Sequence, residues 1–238
     1  MLYNISKRDS FLWNNLFRER ARFIPDLHFS VANVDNLRFS GDMSTLTDKK
    51  TTRIAIIGTR DIDLKAKAHV AQIVSGIKEC YDSNTTGFRP VIVSGLAMGV
   101  DIEAHKQALA HNIPTVAILP VGLDKIYPYA HRDIAKKLTE TPECGLLTQF
   151  DDETAPEACN FIDRNATLAL ISDIVIVVAS KKHGGAILTA KLAHSFDVPV
   201  FAVPGEPDDV RRTGCNNLIH SGVANIIPSW DSLKELFV

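Results

Sequence analysis

Arg53-Ile-Ala-Ile-Ile-Gly-Thr-Arg60 is the stretch of sequence that decides the fold. Its apolar run predicts a buried strand, Gly58 ends the strand, and Arg60 places a positive charge at the carboxyl end. In an open parallel sheet, ligands bind at that end of the strands. Backbone N–H groups in such a turn bind phosphate, and an arginine adds bidentate hydrogen bonds. Taken alone, a strand followed by a glycine turn is as typical of a plain connection as of a binding site.

The same pattern of strand, glycine turn and helix recurs along the chain after Arg60. Further strands are predicted at 90–94, 113–119, 145–150, 173–179 and 198–203. Helices are predicted at 64–81, from Asp101 onward, at 130–139, 160–171 and 186–196, from Gly214 onward and at 229–237. Strands that alternate with helices predict a mainly parallel sheet with helices on both faces, which is a doubly wound, Rossmann-like α/β fold.

The segment before this pattern has a different character. A short amphipathic helix is predicted around residues 11–19, an extra strand at 37–42, and a polar loop at 43–52. Fifty residues are too few for a core of their own. We therefore expect residues 1–50 to be an N-terminal extension that packs on a main domain of residues 51–238.

Composition indicates an ordinary soluble globular protein of 238 residues, with 45% hydrophobic and 23% charged residues and a net charge of −2. No apolar run reaches the roughly 18 residues that a membrane helix needs, and the N-terminus lacks the apolar core of a signal peptide. The four cysteines show no CxxC spacing, which argues against a disulfide framework or a zinc site. These features predict a cytoplasmic protein that holds an anionic ligand only through a local basic patch.

Glycine turns follow four of the predicted strands, and in a parallel sheet all four lie at one edge. The glycines are Gly58, Gly95, Gly99, Gly184, Gly185 and Gly205. Together they predict a rim of backbone donors, with Arg60 and Lys181 or Lys182 nearby, that suits phosphate groups. The absence of GxGxxG and of GxxxxGK[ST] argues against a standard NAD enzyme and against a P-loop NTPase.

Candidates for catalysis or metal binding find little support in the sequence. His105 and His111 are six residues apart and do not share a helix face, and the acidic run 151–153 is typical of a solvated loop. Asp101 is interpreted as a helix cap, and Cys215, with no histidine near it, as a small buried residue. The sequence thus predicts no catalytic residue, metal or cofactor.

Phe161 and Arg164, in the stretch Asn160-Phe-Ile-Asp-Arg-Asn165, are three residues apart and share a helix face. If that face meets the glycine rim, Phe161 stacks on a nucleobase and Arg164 pairs with a phosphate. A core position for Phe161 is equally compatible with the pattern.

These motifs, in this order, resemble the DNA-processing protein A family, also called DprA/Smf, from about Leu37 to Ala224. The matching stretches are Ile56–Arg60, Val93–Asp101 with Ala104-His105, Leu123–Pro128, Asn160-Phe161 with Arg164-Asn165, Gly184–Ala190, Phe201–Gly205 and Gly214–Ile219. The resemblance implies a Rossmann-like domain that binds single-stranded DNA, forms a homodimer and hands the strand to the RecA recombinase, in many bacteria during natural transformation. It implies no catalytic activity.

The resemblance also implies roles for individual residues. Gly58, Thr59 and Arg60 match a phosphate-gripping loop, Phe161 an aromatic that contacts a base, and Gly185 with Thr189 a helix start that faces phosphate. Arg164 and Asn165 match part of the pocket. The other residues of the predicted DNA interface come from the same motifs or from position alone; they are Ser94, Gly95, Asn160, Lys181, Lys182 and Gly205.

Several positions depart from the family's pattern. Ile162 stands where the family has proline, Ala166 where it has a further arginine, and Gly184-Gly185-Ala186 replaces Ser-Gly-Ser. The departures predict a lower affinity for DNA or a different ligand. Two alternatives therefore stay open: a nucleotide-binding sensor or phosphoribohydrolase-like enzyme, for which Pro204–Pro207 does not supply the expected PGGxGTxxE motif, and a protein-interaction module that uses the acidic loop or the C-terminal helix.

Overall fold

A computed structural model describes residues 3–4, 37–83 and 87–237, and in these ranges nine strands form one sheet. The strands are β1 (Tyr3–Asn4), β2 (Arg38–Gly41), β3 (Thr51–Ile57), β4 (Arg89–Ser94), β5 (Thr115–Leu119), β6 (Gly145–Thr148), β7 (Ile174–Val177), β8 (Val200–Ala202) and β9 (Asn225–Ile226). Their order across the sheet is β1-β2-β6-β5-β4-β3-β7-β8-β9. β3 to β9 run parallel to one another, whereas β2 pairs antiparallel with both β6 and β1.

Helices follow most of the strands, as the sequence predicts. They are α1 (Ser44–Thr47), α2 (Leu64–Ser83), α3 (Val100–Ala110), α4 (Arg132–Glu140), α5 (Ala158–Ile171), α6 (Gly185–Ser195), α7 (Thr213–His220) and α8 (Trp230–Lys234), with short 3₁₀ turns at Tyr129–His131 and Glu235–Phe237. The predicted Rossmann-like α/β fold is confirmed. In the described ranges, no helix is long and apolar enough to cross a membrane.

Alternating side chains of each central strand face two separate layers of helices. In β3, Ala55 and Ile57 pack with residues of α5, α6 and α7, whereas Ile54 and Ile56 pack with residues of α2, α3 and α8. Side chains of a strand point alternately to the two faces of the sheet, so a strand covered on both faces is apolar along its whole length. This explains the unbroken apolar run at residues 54–57.

The N-terminal segment joins this sheet where the structure describes it. β2 pairs antiparallel with β6, with Phe39 opposite Leu147, so the predicted extra strand is present. The predicted loop at 43–52 is wrong, because Leu46 is fully buried in α1 and β3 already begins at Thr51. The helix predicted around residues 11–19 lies outside the described ranges, and the division at residue 50 stays a prediction.

A topological switch point lies between β3 and β7. From β3 the chain adds β4, β5 and β6 in succession on one side, and β7 then pairs on the other side of β3. The connections after β3 and β7 consequently diverge above the sheet and leave a crevice at the carboxyl ends of the two strands. Ligands of open α/β sheets bind in this crevice.

Candidate functional site

A pocket of about 500 Å³ occupies the crevice at the switch point. We call it the switch-point pocket. Its walls are the loop after β3, the loop after β7, one face of α5 and the first turn of α6. The predicted site residues among its lining are Gly58, Thr59, Arg60, Phe161, Arg164, Asn165, Lys181, Gly185 and Thr189. The structure therefore brings together residues from three separate sequence motifs.

The loop after β3 is held from both sides by backbone contacts. The Thr59 N–H donates to the Ala179 carbonyl at 2.7 Å, and the Thr59 carbonyl accepts from the Val100 N–H at 3.1 Å. Gly99 has a φ of +85°, and a side chain there would meet the backbone of Thr59 and Arg60. Only glycine suits such a position, which ties the second glycine motif to the first.

Arg60 extends from this loop into solvent above Phe161. Its guanidinium carbon lies 5.6 Å from the centroid of the Phe161 ring, within the range of a cation–π contact. Phe161 is itself half-buried. The arrangement presents a positive fork and an aromatic surface side by side, which suits a nucleotide with a phosphate and a base.

The first turn of α6 forms the opposite wall. Gly184 and Gly185 are exposed, and a side-chain carbon on Gly185 would come no closer than 3.5 Å to any side chain, the nearest atom being Asn165 Nδ2. The first N–H groups of a helix have no partner within the helix and carry partial positive charge. Thr189, by contrast, is buried and its hydroxyl donates to the Gly185 carbonyl at 3.1 Å. The backbone of this turn is thus the part accessible to an anion.

Positive charge at the rim is partly balanced by one carboxylate. Asp61 lies 3.7 Å from Lys181 Nζ and 3.9 Å from Arg211 Nε, and all three side chains are about half exposed or more. Exposed pairs of this kind are weak and readily exchanged for another anion. The rim therefore offers Arg60, Lys181 and Arg211 to an incoming phosphate.

Beneath the pocket lies a layer of buried polar side chains, formed by Asp101, Arg164 and His105, which we call the polar floor. Asp101 is only 7% exposed, and its carboxylate accepts the Gly95 N–H at 3.1 Å together with the N–H groups of Ala97 and Gly58. The interpretation of Asp101 as a helix cap is wrong, because Gly99 occupies the cap position of α3. Burial raises the pKa of Asp101, while the charge of Arg164 and the three N–H groups lower it. Asp101 thereby joins the loops after β3 and β4.

Arg164 lies in the floor at 5% exposure. Its Nη1 donates to the carbonyls of Gly95, at 2.5 Å, and Ile118, at 2.8 Å, at the ends of β4 and β5. Its Nε donates to Asn165 Oδ1 at 3.1 Å, which leaves the Asn165 amide nitrogen on the side of Gly185. Burial lowers the pKa of Arg164 to about 10, with Asp101 opposing and Arg60 adding to the shift, so the guanidinium stays charged at neutral pH. These contacts are those of a residue that positions the pocket.

His105 completes the floor without a role at the pocket surface. The Thr115 hydroxyl donates its one proton to the Ile92 carbonyl at 2.9 Å, so it must accept from His105 Nδ1 at 2.8 Å. His105 Nε2 is buried and has no hydrogen-bond partner among the described residues. Burial, aided by the charges of His131 and Arg164, lowers the pKa of His105 to about 3. His105 is therefore a buried histidine with a neutral ring.

Five of the residues predicted for the interface lie away from the main pocket. Ser94 is fully buried, and its hydroxyl donates to the Ile56 carbonyl at 2.7 Å. Asn160 is buried and its amide donates to the Ala155 carbonyl at 3.0 Å. The backbone of Gly205 is paired twice with the Asn216 side chain. Gly95 faces a smaller crevice beside Phe161, and Lys182 lines a separate groove between α6 and α7.

Other candidates take structural roles. Burial raises the pKa of Cys215 to about 12, which agrees with the small buried residue that the sequence predicts. The acidic loop forms ion pairs with β2, because Arg38 lies 2.6 Å from Asp151 and 3.0 Å from Asp152. In the described ranges, no group of three or more histidine, cysteine or acidic residues is placed to hold a metal ion.

Sequence reasoning missed several residues that line the pocket. Asp61 and Ala97 lie in the glycine turns that the sequence predicts, beside the predicted site residues, and Ser180 lies three residues after the end of β7. The available signal was position, since each lies within four residues of a strand's carboxyl end. Leu168 could not be predicted from such a position, because it contacts the pocket from two turns further along α5 than Phe161.

The family comparison gives one match that covers most of the chain. Residues 31–237 match the family described as DNA recombination-mediator protein A. Among curated proteins, the chain is 40% identical over 145 residues to protein Smf of Synechocystis, covering 61% of this chain and 36% of that protein. It is 32% identical to DNA processing protein DprA of Bacillus subtilis over 196 residues, covering 82% of this chain and 62% of the relative. The chain thus spans about a third to two thirds of the length of these relatives.

Solved structures agree with this match. The structure of DNA processing protein A from Streptococcus pneumoniae superposes with a TM-score of 0.79 at 25% identity, covering all of this chain and 74% of that one. A DNA processing protein A from Helicobacter pylori, described in terms of its single-stranded DNA binding mode, gives a TM-score of 0.71 at 28% identity, with 84% and 85% coverage. A molybdenum cofactor binding protein from Rippkaea orientalis, at 16% identity and a TM-score of 0.54, shares the fold alone. With 207 consecutive residues matched out of 238, the chain belongs to the DNA recombination-mediator protein A family, which includes the DprA and Smf proteins.

Proposed function

We propose that this chain binds single-stranded DNA at the switch-point pocket and acts in DNA recombination without a chemical step of its own. The observation that carries the proposal is the position of Arg60 over Phe161, opposite the exposed first turn of α6. A phosphate meets the arginine fork and the backbone N–H groups, and the adjoining base meets the aromatic ring. The DNA-processing relatives, and the single-stranded DNA binding described for the Helicobacter pylori protein, support this assignment.

The same proposal includes delivery of the strand to a RecA-type recombinase and a homodimeric state. Both rest on membership of the family and on the resemblance of the sequence motifs. In this scheme the rim of the pocket holds the backbone of the strand while its remaining bases stay accessible for exchange.

Fluorescence anisotropy with a labelled single strand tests the pocket directly. We expect Arg60→Ala to weaken binding by about 1–3 kcal/mol, because a charge-assisted hydrogen bond to phosphate is lost. The dependence of log K on log salt loses about 0.7 of slope for each phosphate contact removed from a single strand.

Arg89→Ala is the matched control. Arg89 is an exposed arginine like Arg60, but it pairs with Asp48 and lies at the opposite edge of the sheet, at the amino end of β4. We expect its loss to leave affinity and salt slope unchanged. Wild-type protein that binds no single strand at low salt refutes the proposal, and equal losses in both variants refute the assignment to this pocket.

A nucleotide-binding sensor, or a phosphoribohydrolase-like enzyme, is the second candidate. The volume of about 500 Å³ favours it, because this lies within the range of pockets that bind small molecules. Incubation with nucleoside monophosphates distinguishes the two. Release of free base selects the second candidate. So does micromolar affinity for a nucleoside monophosphate, if it is higher than the affinity for a single strand.

A further inference from the structure

Exposed apolar side chains are concentrated beside the switch-point pocket. Seven large apolar side chains are exposed among the described residues, and Met98, Tyr127 and Tyr129 are three of them, at 53%, 39% and 71%. Met98 and Tyr127 line a crevice of about 50 Å³ together with Phe161, Arg60 and Arg164, which also border the main pocket. We call Met98, Tyr127 and Tyr129 the tyrosine shelf. Apolar groups exposed together next to a binding pocket mark a surface that is covered when the ligand binds.

The shelf continues the aromatic surface of Phe161. The Tyr127 and Phe161 rings lie 5.4 Å apart at 77°, edge to face, and Tyr127 remains partly exposed after this contact. The Arg132 guanidinium lies 4.6 Å from the centroid of Tyr129. The π surfaces are therefore flanked by Arg60 at one end and Arg132 at the other.

We propose that the tyrosine shelf stacks a second nucleobase of the bound strand, next to the one that meets Phe161. The proposal rests on the proposed function and extends it to a further binding subsite. The crevice is too small to enclose a base, so the base lies across its mouth against Tyr127. Stacking on a ring face does not discriminate among bases, so the subsite is independent of sequence.

Charge favours a nucleic acid over a protein surface as the occupant. A polyanion gains from Arg60 and Arg132 at the two ends of the shelf, and its phosphates need no side chain from the shelf itself. Continuity with the main pocket, through the shared walls of Arg60, Phe161 and Arg164, places the shelf where the next base of a strand anchored by its phosphate arrives.

Variants of Tyr127 test the subsite with oligonucleotides that carry 2-aminopurine, whose fluorescence is quenched by stacking. We expect Tyr127→Ala to weaken binding about tenfold and to reduce the quenching at one position of the strand. Tyr127→Phe retains the ring, and we expect it to retain both properties. The salt slope stays at the wild-type value in both variants, because no phosphate contact is lost, and this separates the shelf from Arg60.

A series of single abasic nucleotides in the strand tests the wild-type protein and does not depend on the folding of a variant. We expect the abasic substitutions to weaken binding at two adjacent positions and much less elsewhere. Equal small effects at all positions overturn the proposal, as does unchanged strand affinity in Tyr127→Ala.

The outcomes also separate this proposal from the one on which it rests. If the wild-type protein binds no single strand, the proposed function is refuted. If it binds the strand and Tyr127→Ala binds with the same affinity, only the proposed stacking on the tyrosine shelf is refuted. If Tyr127→Ala and Tyr129→Ala reduce self-association in analytical ultracentrifugation and leave strand affinity unchanged, the shelf is a protein contact and the proposal fails.

Discussion

Arg60 and Arg164 both border the switch-point pocket, yet one is exposed at its rim and the other is buried in the polar floor. Arg60 lies over the face of Phe161, and its guanidinium remains available to a ligand. Arg164 donates its hydrogen bonds to carbonyl groups at the ends of β4 and β5 and to the side chain of Asn165. Two residues of one type thus serve different ends: the rim can exchange one anion for another, whereas the floor fixes the loops that form the rim. Substitutions in the two layers are expected to separate binding from stability.

The largest expected effect comes from Arg164→Met. Removing one partner of a buried charge pair leaves the Asp101 carboxylate with its N–H donors but without an opposite charge, which is expected to lower the free energy of unfolding by about 3–5 kcal/mol. Chemical denaturation at neutral pH measures this. The matched variant Arg60→Met changes an exposed arginine at the rim of the same pocket, and we expect it to change the free energy of unfolding by less than about 0.5 kcal/mol.

A second substitution sharpens this test. Adding Asp101→Asn to Arg164→Met removes the uncompensated carboxylate, so we expect part of the lost stability to return, with a coupling of about 1–3 kcal/mol. Additive losses in the double variant would contradict a charge pair in the floor. Equal losses from Arg164→Met and Arg60→Met would contradict the distinction between the two layers.

The pH dependence of stability is the next largest effect. In the folded protein the pKa of His105 is lowered to about 3 from its ordinary 6.5. Between these values the unfolded chain binds a proton that the folded protein does not, so stability falls as the pH decreases below 6.5. The contribution of His105 is a loss of about 2 kcal/mol between pH 7.5 and pH 5.

Urea denaturation of wild-type and His105→Asn protein at the two pH values isolates this contribution. Asparagine retains a donor for the Thr115 hydroxyl and does not titrate. We expect the variant to be less stable at pH 7.5 but to lose about 2 kcal/mol less on acidification. An identical loss in both proteins would show that His105 is not buried in its neutral form.

The smallest expected effect is a change at the rim that strengthens the binding of a single strand. Asp61→Asn removes the carboxylate shared by Lys181 and Arg211, so both cations become fully available to phosphate. We expect the affinity for a single strand to rise about two- to threefold at low salt, an effect of roughly 0.5 kcal/mol that salt screens. Asp82→Asn, which breaks the exposed pair with Lys78 at the far end of α2, is the control. A fall in affinity for Asp61→Asn would show that the carboxylate organises the rim.

The sequence alone located the residues that line the rim of the pocket but not the depth of those in the floor, for a physical reason. The loop 58–60 and the first turn of α6 follow strands or begin helices, and such positions can be read from local pattern. The depth at which a side chain is buried cannot be predicted from local pattern. The spacing of Phe161 and Arg164 places both on one face of α5, but the carbonyls that bury Arg164 belong to Gly95 and Ile118, more than 40 residues away. Asp101 was interpreted as a cap for the same reason, since its partners lie in other loops.

For the strands too, local pattern predicted which elements form but not how distant elements pair. The alternation of strands and helices predicted the parallel part of the sheet, and the pattern at 37–42 predicted the extra strand β2, which pairs antiparallel. The position of β7 beside β3 depends on contacts between residues such as Ile56 and Ile176, which local periodicity does not encode. Lys182 and Gly205 were selected because they follow strands, and they lie at the correct edge but outside the main pocket.

The close approach of Gly99 to the Thr59–Arg60 backbone has a practical consequence for spectroscopy. The next residue, Val100, is fully buried, and its N–H donates to the Thr59 carbonyl. Its exchange with deuterated solvent therefore requires the loop that carries Arg60 to move away, and no ligand reaches the amide directly. Isotope exchange at this one amide provides a label-free record of how often the loop opens, in the empty protein and in the complex alike.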